Sequence, residues 1–256
     1  MKNKYQIIVA FFLFLFVTGC SSENPIAITN TSPVTAPTIV PTPIPITVPQ
    51  TQNQTFRYLG LGDSYTIGQS VCEICRFPEQ LLKRLSNLNP NNTFSLKLIA
   101  QTGWTTTNLI SAIDLQQPAP NYDLVTLLIG VNNQYQNRLF SVYEKEFPEL
   151  INKAIALAKG DKTNVIVLSI PDYAYTPYGQ GSGIQSKISI EIETYNAFAK
   201  KYCTDNGIEF INITDITRQG LVNTNLVAQD GLHPSQLAYS LFVDRILSKA
   251  ATAIQN

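Results

Sequence analysis

From residue 56 onward, short runs of apolar residues alternate with longer stretches in which apolar positions recur every three or four. The runs 56–61, 94–100, 124–129, 164–170 and 209–213 read as strands. The stretches 78–88, 106–115, 144–159, 188–203 and 235–253 read as helices. The run 124–129 is nearly unbroken in its apolar character, as expected of a strand covered on both faces. Regular alternation of strand and helix argues for an α/β domain with a parallel sheet covered by helices on both sides. No internal repeat is visible.

Upstream the pattern changes. Lys2 and Lys4 precede an apolar run over 7–17, which is too short for a membrane span and suits the core of a secretion signal. Residues 24–56 contain no charged side chain and seven of the fifteen prolines. Such a composition builds no packed core and favours extended chain. The expected organisation is a signal segment over 1–19, a Pro/Thr-rich linker over 20–55 and a folded domain over 56–256. Extended at ~3.1 Å per residue, the linker would reach on the order of 100 Å. It reads equally as a stalk and as a tolerated spacer.

Charge and composition narrow the chemistry. Lys+Arg and Asp+Glu balance at 18 each, so no basic surface points to nucleic acid. The chain has a single histidine, His233. A His-rich metal site is excluded, and imidazole catalysis falls to that one residue.

Ser64 follows the first strand in Gly60-Leu61-Gly62-Asp63-Ser64-Tyr65. The dinucleotide fingerprint fails because Tyr65 occupies its third glycine, and the nucleophile elbow fails because Thr66 replaces its second. What remains is a serine at the carboxyl end of a strand, where open α/β sheets bind ligands. A serine needs a base to become a nucleophile. His233 stands in Asp230-Gly231-Leu232-His233-Pro234, with a carboxylate three residues upstream to orient the ring. Two further loops after strands offer donors for an oxyanion: Gly103, through close backbone approach, and Asn132, through its amide. Asp63 reads as a structural loop residue beside Ser64, and Trp104 equally as pocket lining or core.

Gly62-Asp63-Ser64, Gly103, Gly130-Val131-Asn132 and Asp230-Gly231-Leu232-His233 occur in the order and approximate spacing of the SGNH (GDSL-type) hydrolase superfamily, which the domain therefore resembles. The resemblance implies a three-layer α/β/α flavodoxin-like fold with a five-stranded parallel sheet, and esterase or lipase chemistry without metal or cofactor. It implies Ser64, Asp230 and His233 as catalytic residues, with Ser64, Gly103 and Asn132 forming the oxyanion hole. Two positions depart from the pattern: Tyr65 stands where leucine is usual, and Asn133 where aspartate often follows.

The segment Val17-Thr18-Gly19-Cys20 resembles the bacterial lipobox, implying a lipidated Cys20 and an exported, membrane-anchored lipoprotein facing the periplasm or the cell surface. The membrane, reached through that lipid, and an ester substrate are the expected partners. In an exported chain Cys72 and Cys75 are expected to form a local disulfide, with Cys203 buried. Residues 171–183 hold Tyr173, Tyr175, Tyr178 and three glycines. They read either as a lid or sugar-stacking wall, or as a loop packed by its own tyrosines. No extended apolar acyl groove is apparent, which favours a short acyl group, an O-acetyl on a carbohydrate. Lysophospholipase, thioesterase or acyltransferase activity on the same three residues is the alternative reading. A non-catalytic glycan-binding lipoprotein is the contrasting class, against which the intact Ser64, Asp230 and His233 argue.

Overall fold

The computed structural model describes residues 53–255. The signal segment, Cys20 and nearly all of the linker lie outside the described residues.

Five strands form one parallel sheet: β1 (Thr55–Gly62), β2 (Thr93–Ala100), β3 (Leu124–Leu128), β4 (Val165–Leu168) and β5 (Glu209–Ile211). Their order across the sheet is β2-β1-β3-β4-β5. This is the flavodoxin-like arrangement, in which the winding direction reverses between β1 and β3. Every residue of β3 and of β4 is buried, as two-sided coverage requires. β2, at one edge, alternates exposed and half-buried positions along most of its length.

Nine α-helices are present among the described residues: α1 (Ser64–Ile67), α2 (Phe77–Leu88), α3 (Thr106–Gln116), α4 (Val131–Tyr135), α5 (Phe140–Leu157), α6 (Pro177–Gly181), α7 (Gln185–Asn206), α8 (Thr214–Thr217) and α9 (Gln236–Ala253). α2 packs against α9, while α5 packs against both α3 and α7, giving the two helical layers. The core is densely aromatic where α5 meets α7. There Tyr143 lies 4.6 Å from Tyr195 between ring centroids, and Phe140 lies 4.9 Å from the same ring. This packing explains why α5 begins before the expected residue 144: Phe140 already has an apolar partner to cover it.

The expected fifth strand was longer, reaching 213. It ends at Ile211 because the next backbone groups turn to a side chain: Ile213 and Thr214 donate N–H to Ser169 Oγ at 2.8 and 3.1 Å. α1, α4, α6 and α8 were not foreseen as helices. Two of them, α1 and α4, start directly after β1 and β3, on either side of the point where the winding reverses. Among the described residues no helix is long and apolar enough to cross a membrane.

Candidate active site

Ser64 is the first residue of α1, buried with only 5% of its surface exposed, at the carboxyl end of β1. The turn that carries it is tightly built. Asp63 caps α1 by accepting the Tyr65 N–H on Oδ1 at 3.0 Å. Gly62 lies so close to β3 that a Cβ there would meet the Leu128 carbonyl oxygen at 2.4 Å. Asp63 is fully buried, and its Oδ2 has no hydrogen-bond partner. Burial therefore pushes its pKa up to about 7 against the hydrogen bond from Tyr65.

His233 and Asp230 share one loop. The ring Nδ1 lies 2.6 Å from Asp230 Oδ2. The carboxylate is held on both oxygens. Oδ1 accepts the N–H groups of Leu232 and His233 at 2.9 and 3.0 Å, and Oδ2 also accepts Ser70 Oγ–H at 2.6 Å. Partial burial opposes ionisation, but the hydrogen bonds from Ser70, His233 and Leu232 outweigh it and hold the carboxyl well below the usual range. Downstream, Pro234 bridges to Val227, and Ser235 caps α9 while its hydroxyl donates to the Asn225 carbonyl at 2.5 Å. The loop is thus tied at both ends.

No hydrogen bond joins Ser64 Oγ to His233 in this structure. What relates the two is Tyr65, adjacent to Ser64, whose ring meets the His233 ring edge-on with centroids 5.8 Å apart. In free hydrolases the nucleophile–base bond is often long and tightens when substrate binds. Tyr65, one of the two departures from the family pattern, is buried and braces the imidazole.

The Gly103 loop and α4 are joined by side chains. Asn132 donates one Nδ2–H to the Trp104 carbonyl at 3.0 Å, leaving its second N–H free of that bond. Gln136 donates to the Gly103 carbonyl at 2.9 Å. Gly103 adopts φ +85°, a conformation that favours glycine. Neither its N–H nor that of Ser64 has an intramolecular partner among the described residues. Trp104 is half-buried against the core. Asn133, the other departure, is fully buried: its Oδ1 accepts the Thr106 N–H at 3.0 Å and its Nδ2 donates to Thr106 Oγ1 at 2.6 Å, fastening the start of α3.

The cysteines pair as expected, Cys72 with Cys75, and Cys203 is buried and free. The disulfide closes a four-residue ring that begins two positions after Ser70. Sequence reasoning missed Ser70: it has φ +67°, a strained value for serine, and reaches a carboxylate 160 positions away. No local pattern announces such a contact.

Residues 61–241 match the profile of the GDSL-like lipase/acylhydrolase family. Among curated proteins none matches the sequence. Among solved structures, the chain is similar to a member of the lipolytic G-D-S-L family from Veillonella parvula, at 18% identity and a TM-score of 0.59, over 75% of this chain and 97% of that one. A lipase from a goat rumen metagenome gives 16% and 0.60, over 77% and 98%. An acetylxylan esterase from Geobacillus stearothermophilus gives 15% and 0.54, over 77% and 95%. At these identities the structures speak for the fold; the profile, matched across most of the chain, speaks for the family. This chain belongs to the GDSL-like lipase/acylhydrolase family and is a carboxylic ester hydrolase.

Proposed function

We propose that the protein is a serine esterase that removes a short acyl group, an O-acetyl on a carbohydrate, with Ser64, His233 and Asp230 as its catalytic residues. The observation that carries this reading is the imidazole–carboxylate pair, hydrogen-bonded at 2.6 Å on a loop tied at both ends and braced by the residue next to Ser64. Ser64 Oγ attacks the ester carbonyl while His233 takes its proton. The ring then returns that proton to the leaving alkoxide, and Asp230 stabilises the imidazolium between the two transfers. Water, activated by the same ring, releases the acid and frees Ser64. The N–H groups of Ser64 and Gly103 and the spare Asn132 N–H serve the oxyanion. The carbohydrate ester is supported by the shared fold with an acetylxylan esterase and by tyrosines near the His233 loop.

Hydrolysis of p-nitrophenyl acetate tests the assignment. Ser64→Ala is expected to leave only the ~10³–10⁴ over water that binding and the oxyanion donors supply. Asn132→Ala is expected to lose ~10²–10³ and stay measurable. A fluorophosphonate probe should label the wild type and not Ser64→Ala; wild-type turnover by Ser64→Ala would end the proposal. The sequence before the domain supports attachment to a membrane through a lipid on Cys20. Metabolic labelling with a palmitate analogue should mark the wild type, and an unlabelled wild type would refute this.

A further inference from the structure

Beside α4 lies an open cleft of about 450 Å³, lined among others by Tyr135, Tyr173, Tyr178, Asn137, Ser182 and Lys187. Its volume falls within the ~300–1,000 Å³ of small-ligand sites. Its walls come from residues 134–137, at the end of the helix that carries Asn132, and from residues 173–188, which bond to the His233 loop. Tyr135 stands three residues after Asn132, on the same side of α4. Tyr178 donates its backbone N–H to the carbonyl of Gly231, between Asp230 and His233, at 3.0 Å. The hydroxyls of Tyr135 and Tyr178 meet at 2.6 Å, so a pair of phenols joins the Asn132 helix to the His233 loop. Both rings are about half exposed, at 50% and 44%. Behind them Tyr173 is buried, its hydroxyl donating to Gln134 at 2.8 Å, and its ring supports that of Tyr135 edge-on at 6.1 Å.

An exposed aromatic pair on a buried support, rimmed by an amide, a hydroxyl and an ammonium group, matches one ligand chemistry. A sugar ring offers apolar C–H faces to the aromatic surface and hydroxyls to the rim. We infer that this cleft is the alcohol-side subsite, where Tyr135 and Tyr178 stack the sugar ring next to the one bearing the ester. The inference rests on the esterase reading and adds to it the residues that select the alcohol.

The experiment compares p-nitrophenyl acetate with partly O-acetylated trisaccharides of xylose, mannose and N-acetylglucosamine. For the best trisaccharide, Tyr178→Ala and Tyr135→Ala should each raise the KM ratio of glycan ester to p-nitrophenyl acetate about tenfold, the loss of one stacking partner. Tyr178→Phe, which keeps the ring, should raise it about threefold or less. Should the alanine variants fold poorly, the Ser64→Ala background supplies the second measurement: saturation-transfer NMR signals of the non-acetylated trisaccharide should fall severalfold on adding Tyr178→Leu and persist on adding Tyr178→Phe, and signals unchanged by Tyr178→Leu would overturn the subsite. Equal changes on both substrates, or wild-type preference for longer fatty esters, would overturn the subsite. If the wild type hydrolyses neither ester, the esterase reading itself fails; if it hydrolyses only p-nitrophenyl acetate, the subsite alone does.

Discussion

Replacing Asp63 by asparagine isolates the cost of a buried carboxyl beside Ser64. Asp63 is fully buried, with one oxygen engaged by the Tyr65 N–H and the other without a partner. Burial raises its pKa from 3.8 to about 7. The folded chain therefore holds this proton more tightly than the unfolded chain. The stability linked to it is fully present below about pH 4 and is lost as pH rises toward 7. Three pKa units at ~1.4 kcal/mol each make the loss about 4 kcal/mol. Asp63→Asn keeps the acceptor for Tyr65 and cannot ionise, so it loses nothing over that range. Its unpartnered amide imposes a penalty of ~1–3 kcal/mol that does not vary with pH. The stability of Asp63→Asn relative to wild type should therefore climb by ~1.4 kcal/mol per pH unit between about pH 4.5 and 7, then level off. Urea unfolding across this range measures it, and Asp230, common to both proteins, cancels in the difference. A stability difference that is flat with pH would refute the reasoning.

Two other perturbations probe the frame around the site. Ser70→Ala removes one of the donors to Asp230 without touching the ring; kcat on p-nitrophenyl acetate should fall about three- to tenfold, with KM unchanged. An effect confined to KM would deny Ser70 its positioning role. Gly62→Ala should lower stability by about 1–3 kcal/mol, read as a reduced Tm, because the new methyl collides with the Leu128 carbonyl and with Thr66. A Tm equal to wild type would show that β1 and β3 tolerate the separation.

The fold was legible where burial imposes a pattern. β3 and β4 are enclosed on both faces, and their unbroken apolar runs betray it. α2, α3, α7 and α9 follow their apolar periodicity closely. The short helices escape notice because four or five residues carry no period; α1 is marked by its Asp63 cap, and α4 only by following β3. At the site, Asp230 and His233 were readable because they share one short loop. Ser70 was not, since its partner is brought to it only by folding. Tyr65 and Asn133 look like lapses from a motif in the sequence, whereas in three dimensions one braces the imidazole and the other secures α3.

Because Asp230 and His233 are three residues apart on one tethered loop, they travel as a single body. A change in the distance between hydroxyl and ring leaves the bond from ring to carboxylate intact, so the ring keeps its orientation. Closing over a bound ester then requires only an approach, with no search for the right face of the imidazole.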